Sequence, residues 1–306
     1  MAYSQGKGEL APSWLELEKA SGGRAILKGS PEDIRGMYSG LLQALAPQMP
    51  KPSENVETKN GEVDGVKYPH GGGYMVGGLD DDDLFCRAIS EHSNSALIAV
   101  DYRLAPEHKW PAALDDSVKV YKWAHKNAAS FHGDATKFYT IGGSAGGGLA
   151  LQLANQVLRD SSLKSSLKGI IAMVPLTLHY DHVPAKYKDM YTAYKDNAKD
   201  TPVIDGESMQ IFYKHAGVDP KDPGTFVALS DNLKDFPPTY ITTCEFDPLR
   251  DDGFVLEKAL KEVGVPTKHD HYAGFPHYFW IFPSVPESQE YIGKMLGGIE
   301  WMKGQM

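Results

Sequence analysis

The sequence predicts an α/β domain: a mostly parallel central sheet with helices on both faces and a helical cap. Three observations predict it. Short apolar runs of strand length alternate with helix-like stretches along the chain, the pattern of a sheet covered on both sides. One such run, Phe138-Tyr139-Thr140-Ile141, leads into Gly142-Gly143-Ser144-Ala145-Gly146 and then into the helix-like Gly148–Ala154, the strand–turn–helix setting of a G-x-S-x-G elbow. Upstream stands His70-Gly71-Gly72-Gly73-Tyr74, a glycine loop able to turn backbone N–H groups toward a developing oxyanion.

The elements follow in order. Residues from Ser13 to Leu45 read as helical, ended by Pro47, Pro50 and Pro52. Asn60-Gly61 reads as a tight turn. Ala96–Val100 and Gly169–Pro175 are apolar runs suited to buried parallel strands, and Leu114–Asn127 reads as a helix. Residues from about His179 to Lys221, rich in Tyr, Lys and Asp, interrupt the alternation and read as an insertion. The pattern resumes with a strand at Thr239–Thr243, a helix at Gly253–Val263, a strand at Thr267–Tyr272 and a last helix at Glu287–Met302. This divides the chain into residues 1–48 (first part of a cap), 49–178 (first part of the core), 179–217 (cap insertion) and 218–306 (second part of the core).

Composition narrows the function. The 306 residues are 42% hydrophobic and 23% charged, enough for a large core, and the net charge of −9 disfavours nucleic acid or an anionic membrane as partner. The two cysteines, Cys86 and Cys244, exclude a disulfide framework and read as buried thiols. No apolar run approaches a membrane span and the N-terminus lacks an apolar signal core, so a cytoplasmic enzyme is expected. Neither a G-x-G-x-x-G loop nor a P-loop lysine occurs, so the glycines do not cradle a nucleotide. Asp80–Asp83 reads as a solvated helix N-terminus, because four adjacent acids cannot all face one ion, and no metal or organic cofactor is expected.

Ser144 needs a base, and the base needs an orienting carboxylate. In chain order an acid and then a histidine follow such an elbow. Asp247 comes just past a strand end, with Glu245, Asp251 and Asp252 as rivals. His277 lies in a loop opened by Gly274 and Pro276 at another strand end. His269 and His271 alternate along a strand and read as structural, while Arg103 and Glu107 read as braces of the Pro106 turn.

Five motifs in this order, His70–Tyr74, Asp101–His108, the Ser144 elbow, Asp247-Pro248-Leu249-Arg250-Asp251 and His277-Tyr278-Phe279, resemble the hormone-sensitive-lipase-like α/β-hydrolases, in particular their fungal carboxylesterases, including those acting on acetylated polyketides. The resemblance implies an α/β-hydrolase fold and a serine carboxylesterase acting on short-acyl esters of small molecules. Its catalytic residues would be Ser144, Asp247 and His277, with the N–H groups of Gly72, Gly73 and Ala145 as oxyanion hole. It singles out Asp247 as the acid before Pro-Leu. Tyr74, Tyr187, Tyr191 and Phe212 are expected around the substrate, with Tyr194 also in the lid. An exposed edge strand could pair two protomers into a homodimer.

Two departures from the family pattern stand out. Gly143 replaces the usual Asp before the nucleophile. The stretch Val63–Pro69 is all that precedes the glycine loop, roughly twenty residues less than a hairpin plus a core strand would take. Either these residues are forced into the core-strand position, or the strand is lost and the loop is mobile. The second case keeps a non-catalytic or impaired small-molecule-binding protein on the same fold as the alternative function.

Overall fold

A computed structural model describes residues 8–24, 26–45, 63–79 and 81–305. The expectations for the N-terminal tip, Pro47–Pro52, the Asn60-Gly61 turn and Asp80 lie outside these residues. In chain order the elements are α1 (Pro12–Ala20), α2 (Pro31–Leu45), β1 (Val63–Pro69), α3 (Asp83–Ser93), β2 (Ser95–Val100), α4 (Ala112–Lys126), β3 (Gly133–Gly143), α5 (Ala145–Arg159), β4 (Leu167–Met173), α6 (Ala193–Asp196), α7 (Gly206–Ala216), β5 (Thr239–Phe246), α8 (Arg250–Glu262), β6 (Thr267–Pro276) and α9 (Glu287–Lys303).

The six strands form one sheet in the order β2-β1-β3-β4-β5-β6, with every neighbouring pair parallel. Helices cover both faces, as an all-parallel sheet requires. α5 packs on β3 and β4, next to α4, while α9 packs on β4 and β5, next to α3. α5 is buried along almost its whole length, which explains why its sequence, with Leu149, Leu151 and Leu153, is apolar on all sides.

The expected N-terminal helix is two helices. Gly22, Gly23 and Gly29, with φ of 82°, 144° and 112°, carry the chain between them in a conformation other residues resist. The insertion ends in α7, which starts on a reciprocal cap between Asp205 and Ser208 and stops at Gly217 in the left-handed region.

The stretch before the glycine loop resolves one expectation and corrects another. Val63–Pro69 is a full strand, paired on one side with β2 from Asp64↔Ser95 to Pro69↔Val100 and on the other with β3 through Gly65↔Phe138 to Lys67↔Thr140. The central strand is therefore not lost. Seven residues fill its place, with a register shift between Val63 and Gly65. Pro69 is tolerated because it ends the strand, where its missing N–H removes nothing from the ladder. No upstream hairpin pairs with the sheet among the described residues, and β2 forms its edge.

Candidate active site

Three strand ends deliver three side chains to one point. β3 runs into Ser144, which holds φ 57° and ψ −122°, a conformation that costs free energy for a non-glycine residue and persists because its surroundings impose it. Its N–H donates to the carbonyl of Met173 (2.8 Å) and its carbonyl accepts from Gly148 at the start of α5 (2.9 Å). The neighbouring glycines are sterically required. A Cβ on Gly146 would lie 2.6 Å from the carbonyl oxygen of His70 and closer still to that of Pro69, and one on Gly147 would lie 2.8 Å from that of Met173.

β5 ends at Phe246, followed by Asp247, and β6 ends at Pro276, followed by His277. His277 Nδ1 lies 2.7 Å from Asp247 Oδ2, and its Nε2 lies 2.8 Å from Ser144 Oγ. With the proton on Nδ1 facing the carboxylate, Nε2 is left to accept from the serine hydroxyl. The other Asp247 oxygen accepts from the N–H of Leu249 (2.8 Å). Asp247 is fully buried, and His277 and Ser144 nearly so.

The rival acids have other work, and that work joins the insertion to the core. Asp251 accepts from the N–H groups of Thr192 (2.6 Å) and Ala193 (2.7 Å). Glu245 accepts from Gly8 N–H (2.9 Å) and Gly274 N–H (2.7 Å), so it links the N-terminal segment to the strand that carries His277. Ala11 N–H adds a bond to the Gly274 carbonyl (2.8 Å). From the insertion, the buried Asn197 amide donates to the carbonyls of Glu245 (3.3 Å) and Asp247 (3.1 Å). His269 and His271 both bond Thr243 and are structural; burial lowers His271 to about 4. Arg103 pairs with Asp116 and Glu107 with Arg35 of α2, bracing the turn as expected.

Asp252 is fully buried, and burial raises its carboxyl to about 7. It accepts from the N–H groups of Thr177 (2.6 Å) and Leu178 (2.8 Å) and from Tyr191 Oη (2.6 Å). A carboxyl that binds its proton more tightly in the folded chain contributes most to stability below its ordinary range and loses that contribution as pH rises through its folded value. Between about pH 4 and pH 7 this group therefore destabilises the fold progressively. Asp252→Asn is expected to remove that decline, so the difference between variant and wild-type urea midpoints grows from pH 4 to pH 7. Parallel curves would refute this.

The glycine loop is held by several contacts besides β1. The His70 ring stacks on Tyr102 with centroids 4.2 Å apart, and Tyr102 Oη donates to the His70 carbonyl (2.8 Å). The Gly72 carbonyl accepts from both Met75 and Val76 N–H groups (3.0 Å each), closing a turn for which Gly72 and Gly73 take φ of 111° and 60°. Gly71, Gly72 and Gly73 line one cavity together with Ser144 and His277.

That cavity is narrow. Its walls leave about 730 Å³ unfilled, solvent-open mouth included. α2 contributes Leu41, Leu42 and Leu45, the segment before α7 contributes Val203 and Ile204, and α7 contributes Met209 and Phe212. Residues of the N-terminal stretch and of the insertion thus line one cavity with Ser144. Phe212 lies at the cavity as expected, but the three tyrosines do not. Tyr74 is buried and shares its hydroxyl with Gln152 (3.1 Å). Tyr187 is buried, its hydroxyl 3.4 Å from Glu262 at the end of α8. Tyr191 spends its hydroxyl on Asp252. Tyr194 stacks between Tyr180 and Tyr191, and its hydroxyl meets that of Tyr213 (3.3 Å). These rings bind the insertion to the core, where aromatic area contributes most.

The acidic run is a second correction, in part. It starts α3 as expected, with Asp82 at the N-cap and Asp83 in the first turn, but Asp81 and Asp82 are not solvated: both face the cavity, with Tyr38 and Tyr278. Tyr38 Oη donates to Asp81 Oδ2 (2.9 Å). Among the described residues no group of three or more His, Cys, Asp or Glu could hold a metal ion, and no helix is long and apolar enough to cross a membrane.

Known proteins resemble this chain. A family model described as alpha/beta hydrolase fold matches residues 66–281. A versiconal hemiacetal acetate esterase of Dothistroma septosporum is 56% identical over 317 aligned positions, covering 98% of this chain and 97% of its own. That alignment exceeds the 306 residues here, so some positions of the relative have no counterpart in this chain. A versiconal hemiacetal acetate esterase of Aspergillus parasiticus is 32% identical over 95% of this chain and 98% of its own. Among solved structures, a hyperthermophilic esterase from the archaeon Pyrobaculum calidifontis superposes with a TM-score of 0.81 at 26% identity, over 97% of this chain and 99% of its own.

Proposed function

Because the chain belongs to the hormone-sensitive-lipase-like family of α/β-hydrolases and is a carboxylic ester hydrolase, we propose that it cleaves short-acyl esters of small molecules through Ser144, His277 and Asp247. The supporting observation is the continuous relay from Asp247 Oδ2 through the imidazole to Ser144 Oγ, with links of 2.7 and 2.8 Å, at the wall of a capped apolar cavity.

In this reading Ser144 Oγ attacks the ester carbonyl carbon while His277 Nε2 takes its proton. Asp247 keeps the ring oriented and stabilises the imidazolium. The carbonyl oxygen becomes an oxyanion received by the N–H groups of Gly72, Gly73 and Ala145. Collapse of the tetrahedral intermediate breaks the C–O bond, and His277 gives its proton to the departing alkoxide. Water then attacks the acyl-enzyme with His277 again as base, releasing the acid and restoring Ser144. The cap, of which residues 8–24, 26–45 and 179–217 are described, keeps bulk water from the intermediate. A binding protein without catalysis is disfavoured, since the base and the anchored glycine loop are both in place.

The narrow slot supports short acyl groups, and acetate esters, the class named for its two fungal relatives, fit that size. Across p-nitrophenyl esters from acetyl to dodecanoyl, kcat/KM should peak at acetyl to butyryl and fall by roughly tenfold or more by decanoyl, since each methylene that finds no room forfeits its transfer energy and strains the walls. A maximum at decanoyl or longer would overturn the short-acyl assignment.

A further inference from the structure

Besides Ser144 and His277, the polar side chains at the cavity are Tyr38, Asp81, Asp82 and Tyr278. Tyr278 follows the base directly and holds φ 61°, which turns its side chain back across the elbow. Its ring occupies the space left by the missing side chain of Gly143: a Cβ there would lie 2.6 Å from Cε2 and 2.7 Å from Cζ of Tyr278. A Cβ on Gly71 would lie 3.2 Å from the same hydroxyl, so Tyr278 Oη sits between the elbow and the glycine loop. That hydroxyl points to Asp82 Oδ2 at 3.5 Å, and both residues are more than nine-tenths buried.

We propose that Tyr278, oriented by Asp82, is a specificity residue that binds a hydroxyl group of the substrate close to the scissile ester. The inference rests on the esterase reading above and goes on to define which esters are preferred. A phenol that gives its single proton toward a carboxylate keeps an oxygen able to accept a hydrogen bond. Such an oxygen accepts from a substrate O–H and offers nothing to an ether or a carboxylate in the same place. The chain runs from substrate O–H to Tyr278 Oη–H to Asp82, and the buried carboxylate strengthens it. The favoured substrates are monoesters of diols, catechols or hemiacetals that keep a free hydroxyl next to the acylated oxygen. O-methylated analogues and anionic esters are disfavoured. Nothing covalent is added to the reaction.

The test compares 2-hydroxyphenyl acetate with 2-methoxyphenyl acetate on wild type, Tyr278→Phe and Ser144→Ala. Wild type should prefer the hydroxy ester by about 3- to 10-fold in kcat/KM, the worth of one hydrogen bond, after correction for the spontaneous hydrolysis of each ester. Tyr278→Phe keeps the ring that fills the space over Gly143 and should bring the ratio to about 1, chiefly by raising KM for the hydroxy ester. A second variant, Gly143→Ala, should collapse the ratio in the same way by displacing the tyrosine. If Tyr278→Phe lowers both esters equally, Tyr278 acts on the oxyanion or on packing, and the proposal is wrong. The proposal also fails if wild type shows no preference. If Ser144→Ala still hydrolyses either ester at the wild-type rate, it is the esterase reading itself that fails.

Discussion

Ser144→Ala and His277→Ala should each lower kcat on p-nitrophenyl acetate by on the order of 10⁶-fold, and the double variant should be scarcely worse than either. The non-additivity follows from the geometry. Ser144 Oγ has the His277 ring 2.8 Å away as its acceptor, so removing the base leaves an un-ionised hydroxyl, and removing the hydroxyl leaves the base without a nucleophile to activate. Asp247→Asn costs less, about 10⁴-fold, because an amide can still bond the ring but favours the wrong tautomer at Nδ1. Residual rate in all three variants comes from the glycine loop and substrate positioning. Steady-state kinetics on the purified variants decide the matter: a Ser144→Ala protein within about tenfold of wild type would remove Ser144 from the mechanism, since even one oxyanion donor is worth more than that.

Gly146→Ala should be among the most damaging single methyls at the described glycines. Its Cβ would be forced against the carbonyls of Pro69 and His70, the last residue of β1 and the first of the glycine loop. These are backbone atoms, so the collision cannot be relieved by a rotamer change. Overpacking of this kind costs about 3 kcal/mol or more, a melting-temperature drop of roughly 5–10 °C for a chain of this size. It also pushes the oxyanion donors off the serine, with a rate loss of about 10²-fold. Gly36→Ala is the contrasting control. Gly36 is exposed on α2 with nothing within 4 Å of its would-be Cβ, so alanine there should raise stability by about 0.5–1 kcal/mol. Calorimetry on both variants checks the pair. Equal effects would mean that the close approach of α5 to the end of β1 is relaxed in solution.

What could be read from the sequence was whatever is local in the chain. The elbow is written in consecutive residues, Gly142 to Gly146, after an apolar strand, and chain order plus strand ends located His277. Asp247 needed the family pattern, because Glu245, Asp251 and Asp252 satisfy the same local rules; only the fold shows that each is held by backbone N–H groups of the N-terminal segment, the insertion or the loop after β4. The strand at Val63–Pro69 was hard to see because Asp64, Gly65 and Lys67 do not look like a buried run. Parallel neighbours on both sides impose extension on it regardless of propensity. The lid tyrosines misled for a related reason: an aromatic residue in an insertion can line a cavity or fix the insertion to the core, and composition does not distinguish the two. Asp81 and Asp82 carried one usable signal. Four acids in a row at the start of an amphipathic helix put at least one on the inward side.

Glu245 holds Gly8 with one carboxylate oxygen and Gly274 with the other, while Asn197 grips the carbonyls on either side of the acid loop. The two halves of the cap, distant in sequence, are thus moored to the segments that carry Asp247 and His277. For protein engineering this makes the cap a poor interchangeable cassette. Grafting another cap to change the accepted ester would disturb the base and its acid together, so selectivity and turnover would move as one trait, and directed evolution here should progress through the α2 wall positions Leu41, Leu42 and Leu45, which touch the cavity without holding those moorings.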